Sequence, residues 1–287
     1  HFRNPIGMAA GFDRNGEIFS ELDALGFGFV EIGTVTAQPQ TGNPKPRVFK
    51  LSDDMAIMNR VGLSSKGLER VISNIRQRNN GVVLGCNIGK NSSTAPENAP
   101  QDYLRVFRNL YQYVDYFTVN VSYNTSFKQY VPRTRESIIS ILEPLFDFRR
   151  GQNQYRPILL KISPDLSNED IDMMTDIMVD TPLDGIVATN GTVRHTGLVT
   201  DAEQLKRYGA GAVSGKPLTK RSVEVVRRVY ERSNGTYPII GVGGVMTPAD
   251  AKAMLEAGAT LVQIYTGYVY NGPNFVGNIC RELINRK

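Results

Sequence analysis

The chain has 287 residues, of which 41% are hydrophobic and 21% are charged, and it carries a formal net charge of +5. This length and composition fit one domain with a sizeable core and a polar surface. Its apolar runs fall short of the roughly 20 residues that a membrane-spanning helix needs. The basic residues are scattered and form no stripe with aromatic side chains, which argues against nucleic-acid binding.

Eight short apolar segments, rich in β-branched residues and bounded by turn residues, run along the chain. Strands that are buried on both faces have this character. In chain order the segments are Pro5–Gly11, Phe29–Thr34, Val82–Gly89, Tyr116–Ser122, Ile158–Ser163, Gly185–Asn190, Pro238–Gly244 and Leu261–Gly267.

Helical periodicity occurs between these segments. The predicted helices are Glu17–Leu25, Lys66–Arg78, Tyr103–Tyr113, Arg135–Arg149, Asn168–Val179, Arg221–Glu231 and Pro248–Ala257. Strands that alternate with helices in this way predict a (β/α)8 TIM barrel, in one domain over residues 1–287. In such barrels the active site lies at the carboxyl ends of the strands.

Local signals support several helix boundaries. Ser167 followed by Asp170 resembles an N-terminal capping box, and Thr247 before Pro248 is a second start signal. Gly258 follows the last predicted helix, as a C-terminal stop does. Two connections, at residues 38–65 and 191–220, are longer than a barrel requires. We expect them to act as lids or to supply binding residues.

The histidine and cysteine content gives metal and hydrolytic chemistry little support. His1 and His195 lack the closely spaced partners of zinc or iron sites, and Cys86 and Cys280 are far apart. His195 is either a general base or a solvated residue of its glycine-rich loop. A Ser-His-Asp triad would need this same histidine, and no nucleophile-elbow motif is present. We therefore predict no metal site and no hydrolase.

Glycine-rich strand ends predict a phosphate site. Gly241–Gly244 ends the seventh segment, and Ile264–Gly267 ends the eighth. Loops after strands seven and eight of these barrels commonly hold a phosphate through backbone N–H groups. The glycines at 209–215 are placed to contribute from the preceding connection. Together they suggest a phosphorylated ligand or cofactor.

Polar residues in apolar strands predict the rest of the site. Lys161 lies inside the run Ile158–Ile162 and needs an anionic or hydrogen-bonding partner if it is buried, a structural ion pair being the alternative. Asn87, Asn120 and Asn190 occupy equivalent ends of strands three, four and six. Their amides offer donors and acceptors that suit a heterocycle with C=O and N–H groups.

The sequence as a whole resembles a known family, the class 2 dihydroorotate dehydrogenases. Ten motifs match in the family's order and cover the chain almost end to end. They are Asn4–Asp13, Glu31–Thr36, Pro39–Arg47, Asn59–Gly62, Asn87–Asn91, Leu160–Asp165, Ala188–Asn190, Ser214–Leu218, Gly241–Gly244 and Leu261–Thr266.

The resemblance implies that the chain binds FMN and oxidises dihydroorotate to orotate in pyrimidine biosynthesis, by loss of a C5 proton and transfer of the C6 hydride. It implies cofactor contacts at Ala10, Gly11, Arg14, Thr34, Asn87, Asn120, Lys161, Thr189, Gly215, Gly244, Tyr265 and Thr266. It implies substrate contacts at Arg14, Asn59, Arg60, Val61, Gly62, Leu63, Asn120, Asn124, Asn190 and Gly191.

Three positions depart from the family pattern. Arg14 stands where the family usually has lysine; it keeps the charge and can grip a carboxylate with two hydrogen bonds. Leu63 replaces a usual phenylalanine, which should loosen packing around the substrate. The family reads Asn-x-Ser-Ser-Pro-Asn-Thr, with the second serine as base, whereas Asn120–Thr125 is one residue short and has Tyr123 at that place. Either Ser122 or an unusual base acts here, or a catalytic loop after Ser122 is missing from this sequence.

Class 2 relatives pass their electrons to quinone and carry an N-terminal helical segment that lies on the membrane. We expect this segment to be absent from this chain, because the sequence reaches the first strand within a few residues of His1. The resemblance implies peripheral membrane association, facing the cytoplasm in a bacterium or at the inner mitochondrial membrane in a eukaryote. The alternatives are a class 1 enzyme that uses fumarate or NAD, and a non-catalytic FMN-binding barrel.

Overall fold

The computed structural model describes residues 1–76, 78, 81–122 and 134–284. In chain order its strands are β1 (Ile6–Met8), β2 (Phe29–Val35), β3 (Val48–Leu51), β4 (Ala56–Asn59), β5 (Val83–Ile88), β6 (Tyr116–Asn120), β7 (Ile158–Ile162), β8 (Gly185–Ala188), β9 (Ala212–Gly215), β10 (Ile239–Val242) and β11 (Leu261–Ile264). Eight of them close into a barrel in the order β1-β2-β5-β6-β7-β8-β10-β11. Neighbouring barrel strands are parallel, so the predicted (β/α)8 fold is confirmed.

The helices lie between the barrel strands and after the last of them. They are α1 (Phe19–Ala24), α2 (Leu68–Ile75), α3 (Ala99–Leu110), α4 (Arg135–Arg150), α5 (Asn168–Asp180), α6 (Ala202–Tyr208), α7 (Thr219–Arg232), α8 (Pro248–Glu256), α9 (Thr266–Asn271) and α10 (Phe275–Ile284). All seven predicted helices are present within a few residues of their expected bounds, whereas α6, α9 and α10 were not predicted. Among the described helices, none is both long and apolar enough to cross a membrane.

The cap signals of the sequence correspond to real contacts. The Ser167 hydroxyl accepts a hydrogen bond from the Asp170 backbone N–H at 3.1 Å. Thr247 and Asp250 form a reciprocal capping box at the start of α8. Gly258 has a φ of +110°, and a Cβ there would lie 2.3 Å from the Tyr230 ring. Only glycine fits this stop after α8.

The two long connections contain secondary structure that was not predicted. Strands β3 and β4 form an antiparallel hairpin within the first connection, and β9 in the second pairs with β4, which gives a sheet of three strands. This small sheet covers part of the carboxyl end of the barrel. The interpretation of these segments as loops was therefore incomplete.

The barrel interior changes character along its axis. At the amino-terminal end Phe29 and Tyr116 pack edge to face, with ring centroids 6.5 Å apart, and fill the interior. Towards the carboxyl end buried polar side chains replace them, among them Glu31 and Asn87, both with no exposed surface. Apolar packing thus closes one end of the barrel and leaves the other end for ligands.

Candidate active site

A cavity of about 440 Å³ lies at the carboxyl ends of the barrel strands, where the fold predicts an active site. The small sheet supplies one of its sides through Val48, Ile57 and Ser214. Most residues that the sequence assigned to cofactor or substrate line this one cavity. They are Ala10, Gly11, Arg14, Thr34, Asn59, Arg60, Val61, Gly62, Leu63, Asn120, Lys161, Thr189, Asn190, Gly191, Gly215, Gly244, Tyr265 and Thr266.

One end of the cavity is built from glycine and hydroxyl residues. Gly215 and Gly244 have φ values of +104° and +75°, a region of backbone conformation that favours glycine. The hydroxyls of Ser214 and Thr266 lie 2.8 Å apart and join β9 to the start of α9. The Thr219 hydroxyl donates to the Gly244 carbonyl at 2.6 Å. These contacts fix the glycine turns relative to one another, and the phosphate site assigned to them stays a prediction.

Lys161 lies in the wall away from this glycine end and is only 5% exposed. Within the described part of the chain its ammonium group makes no hydrogen bond or ion pair. Burial lowers the pKa of Lys161, and the charge of the nearby Glu31 carboxylate partly opposes this shift. A buried ammonium group of this kind is suited to an anionic or strongly accepting ligand atom.

Glu31, a carboxylate buried behind the cavity wall, is a residue that the sequence patterns did not single out. It has no exposed surface, and its carboxylate accepts hydrogen bonds from the Tyr116 hydroxyl at 3.1 Å and the Thr118 hydroxyl at 3.0 Å. Two amide groups also donate to it, from Asn87 at 2.9 Å and from Gln263 at 2.8 Å. The available signal was a carboxylate inside an apolar strand, the same signal that identified Lys161.

The three strand-end asparagines do not have equivalent positions. Asn120 and Asn190 line the cavity, and their contact with a ligand stays a prediction. Asn87 is fully buried behind the wall, where its amide oxygen accepts from the Thr34 hydroxyl at 2.6 Å. Asn87 thus reaches the cavity through Thr34, while its role as a direct cofactor contact stays a prediction.

Arg14 and Arg60 both line the cavity but differ in their hydrogen bonds. The Arg60 guanidinium donates to the Pro46 carbonyl at 3.1 and 3.2 Å and lies over the Phe49 ring. Arg14 makes no hydrogen bond with the described residues. Of the two, Arg14 is therefore the one whose whole guanidinium group is free of hydrogen bonds to the described residues.

Ser122, the predicted base, lies just behind the wall. It is 5% exposed, and its hydroxyl donates to the Asn120 amide oxygen at 2.8 Å. The Asn190 amide donates to the same hydroxyl at 2.9 Å. Ser122 therefore contacts two residues of the cavity wall. Residues 123–133, which include the predicted substrate contact Asn124, lie outside the described residues.

His195 lies outside the cavity wall. Its Nε2 is 2.9 Å from the Gly211 carbonyl oxygen, which fits the interpretation of this histidine as a loop residue. Among the described residues no group of three or more His, Cys, Asp or Glu side chains is placed to hold a metal ion.

Comparison with known proteins agrees with this geometry. A family model described as dihydroorotate dehydrogenase matches residues 1–286. Proteins named dihydroorotate dehydrogenase (quinone) from Christiangramia forsetii and Nitrosospira multiformis are each 43% identical to this chain, and each match covers 99% of the chain and 82% of the relative. A crystal structure of the Eimeria tenella enzyme in complex with ferulenol superimposes with a TM-score of 0.91 at 32% identity, covering 99% of this chain and 81% of that one. The chain belongs to the dihydroorotate dehydrogenase family.

Proposed function

We propose that this chain oxidises dihydroorotate to orotate with FMN bound in the cavity, and that a quinone takes the electrons. The observation that carries the proposal is the composition of the cavity wall. Its glycine turns, which end or follow β9, β10 and β11, suit a phosphate, whereas the neighbouring strands β6, β7 and β8 supply Asn120, Lys161 and Asn190; Arg14 lines the same cavity from the turn after β1. Family membership and the names of the quinone-dependent relatives support the same reaction.

The residues present fit FMN. Lys161 and Gln263 are buried cavity-wall residues, and among the described residues neither the Lys161 ammonium nor the Gln263 amide oxygen has a hydrogen-bond partner. One is a donor and the other an acceptor, the complement of a heterocycle with C=O and N–H groups. Gly215, Gly244 and Thr266 would hold the phosphate.

Bound FMN supplies the acceptor for the hydride that leaves C6 of dihydroorotate. Lys161 stabilises the negative charge that develops beside it, because its ammonium is held in a site from which water is largely excluded. Arg14 binds the substrate carboxylate, since its guanidinium is free of protein partners within the described chain. Asn120 and Asn190 orient the ring through their amides.

The C5 proton needs a base, and Ser122 is our proposal for it among the described residues. As base, Ser122 would pass its own hydroxyl proton to solvent as Oγ takes the C5 proton, so that the hydroxyl is restored, and the Asn190 amide that donates to Oγ would stabilise the charge that develops there. Ser122→Ala should therefore abolish flavin reduction, whereas Ser122→Cys should retain part of it. Full activity of the alanine variant would place the base elsewhere, which is the alternative left open by the sequence.

The electron acceptor distinguishes class 2 from class 1. We propose quinone, and with it a peripheral position on the membrane that holds the quinone pool: the cytoplasmic face in a bacterium, or the inner mitochondrial membrane in a eukaryote. Orotate formation should be measured with a short-chain quinone, with fumarate and with NAD in parallel. Turnover with the quinone alone supports the proposal, and comparable turnover with fumarate or NAD would assign the chain to class 1.

A further inference from the structure

Glu31 is the end point of a continuous hydrogen-bond chain. The Asn87 amide N–H donates to Glu31 Oε1 at 2.9 Å. The Thr34 hydroxyl donates to Asn87 Oδ1 at 2.6 Å, and the Asn120 amide N–H donates to Thr34 Oγ1 at 3.3 Å. These contacts link the buried carboxylate to a residue of the cavity wall.

The same chain continues across the carboxyl end of the barrel. The Ser122 hydroxyl donates to Asn120 Oδ1 at 2.8 Å, and the Asn190 amide N–H donates to Ser122 Oγ at 2.9 Å. Every group in the series donates towards Glu31. Hydrogen bonds that run in one direction polarise one another and strengthen the series.

The direction of the chain is fixed by groups that cannot exchange roles. Glu31 accepts from four neighbouring donors, and Asn87 is one of them, with its NH2 group turned to Glu31 and its oxygen to Thr34. At the other end, the backbone N–H of Ser122 donates to Asn120 Oδ1 at 3.1 Å, and that of Gly191 donates to Asn190 Oδ1 at 2.9 Å. Both ends therefore impose the same orientation.

We propose that Glu31 is a positioning residue that fixes the direction of this chain and, through it, the hydrogen-bonding groups that Asn120 and Asn190 present to a ligand. Both lone pairs of Asn120 Oδ1 are occupied by Ser122, so Asn120 offers a ligand one N–H. Asn190 uses its NH2 group on Ser122, so it offers a lone pair of its oxygen. One N–H from Asn120 and one oxygen lone pair from Asn190 together favour a ligand ring that has both a hydrogen-bond acceptor and an N–H donor.

This inference rests on the proposed function for the identity of the ligand, and a double-mutant cycle tests it. Glu31→Met removes both acceptor oxygens with little change in length, and Ser122→Ala removes a link at the far end of the chain. The FMN dissociation constant, which reports on Asn120, is measured by flavin fluorescence, and the orotate dissociation constant of the FMN-loaded protein reports on Asn190. Urea unfolding is followed on the same proteins without FMN. If the wild-type protein binds no FMN, the proposed function is refuted. The energetic coupling between Glu31 and Ser122 can still be measured from the free energies of unfolding.

Glu31→Met should weaken FMN binding by about tenfold or more, because hydrogen bonds to charged groups are the stronger class, and Glu31→Gln should recover part of the loss. The Glu31→Met effect should shrink by about threefold or more in the Ser122→Ala background, since linked residues are non-additive. Thr118→Val is the matched control: its hydroxyl bonds to Glu31 Oε2, outside the chain. Its effect should combine with Ser122→Ala within about twofold of the product.

Multiplicative effects of Glu31→Met and Ser122→Ala would overturn the proposal. So would equal coupling of the Thr118→Val control. If Glu31 and Ser122 are coupled only in the free energy of unfolding and the affinities for FMN and orotate are unchanged, the hydrogen-bond chain is purely structural. That result would overturn the positioning role of Glu31. If Glu31→Met does not fold, Thr34→Val replaces it in the double-mutant cycle with Ser122→Ala, because it removes a hydrogen bond in the middle of the same chain. Multiplicative effects of these two substitutions would likewise overturn the proposal.

Discussion

Asn120 and Lys161 are register partners on the parallel strands β6 and β7. Paired residues of neighbouring strands point to the same face of a sheet, and here both side chains line the cavity. An amide and an ammonium group are thereby fixed side by side in a buried wall. This pair, together with the glycine turns, is the basis of our proposal that the cavity binds a hydrogen-bonding heterocycle with a phosphate.

Lys161→Met should slow flavin reduction by dihydroorotate by about 10- to 100-fold, because hydrogen bonds to charged groups contribute about 1.5–3 kcal/mol. Rapid mixing under anaerobic conditions measures the rate. Lys252→Met is the control, since Lys252 lies on α8 in an ion pair with Glu256 and is not part of the cavity wall. An unchanged rate in Lys161→Met would remove the role assigned to this residue.

Gly244→Ala should abolish tight FMN binding. A Cβ at this position would lie 2.2 Å from the Thr219 backbone nitrogen, and the φ of +75° disfavours any side chain. Gly277→Ala in α10 is the matched control, because a Cβ there meets no atom within 4 Å. It should raise stability by about 0.5–1 kcal/mol, as Gly→Ala does in a helix. Equal FMN affinity of wild type and Gly244→Ala would argue against a phosphate site at this turn.

Arg14→Ala should raise the KM for dihydroorotate by about 10-fold or more, because it removes a charged hydrogen-bonding partner of the substrate carboxylate. Arg14→Lys should recover part of the loss, since it keeps the charge without the two-pronged geometry. Steady-state kinetics at saturating quinone give the values. A KM that does not move in Arg14→Ala would assign the carboxylate to another residue.

Asp54 joins the small sheet to the connection after β8. Its carboxylate accepts from the backbone N–H groups of Val199 at 2.6 Å and Thr200 at 3.0 Å. Burial opposes ionisation, but hydrogen bonds from Thr200 and Val199 outweigh it and hold the pKa of Asp54 below its ordinary value. Asp54→Asn should therefore lower the free energy of unfolding by about 1–3 kcal/mol near neutral pH.

The pH dependence of this effect has a definite sign. A carboxyl group with a lowered folded-state pKa stabilises the fold above its unfolded pKa of about 3.9. That contribution is lost as the pH falls through the folded value. Urea unfolding of wild type and Asp54→Asn should thus differ near neutral pH and converge in acid. The exposed neighbour gives the control, Asp53→Asn, which should match wild type throughout.

The barrel was predictable because each of its strands is a short, mainly apolar run bounded by turn residues, and runs of this kind have few alternatives in an alternating chain. The small sheet was not, because β3, β4 and β9 lie among glycines and prolines that indicate loops. Their pairing depends on contacts between distant parts of the chain, which local patterns do not contain.

The candidate site divides in the same way. Lys161 and the glycine turns carry local signals and were identified from the residues themselves. Glu31 and Gln263 also interrupt apolar strands, but the significance of each depends on the other, since they meet across 232 positions of sequence. The position of Asn87 at a strand end predicts a residue of the cavity wall. In the structure it lies behind the wall, because Thr34 is between its side chain and the cavity.

The most direct test of the account is anaerobic mixing of the flavin-loaded protein with dihydroorotate while the oxidised flavin band near about 450 nm is recorded. The account predicts that the band bleaches and that orotate forms in a one-to-one ratio with the flavin reduced. A band that stays unchanged in a protein that binds FMN would contradict it and would indicate a non-catalytic FMN-binding barrel.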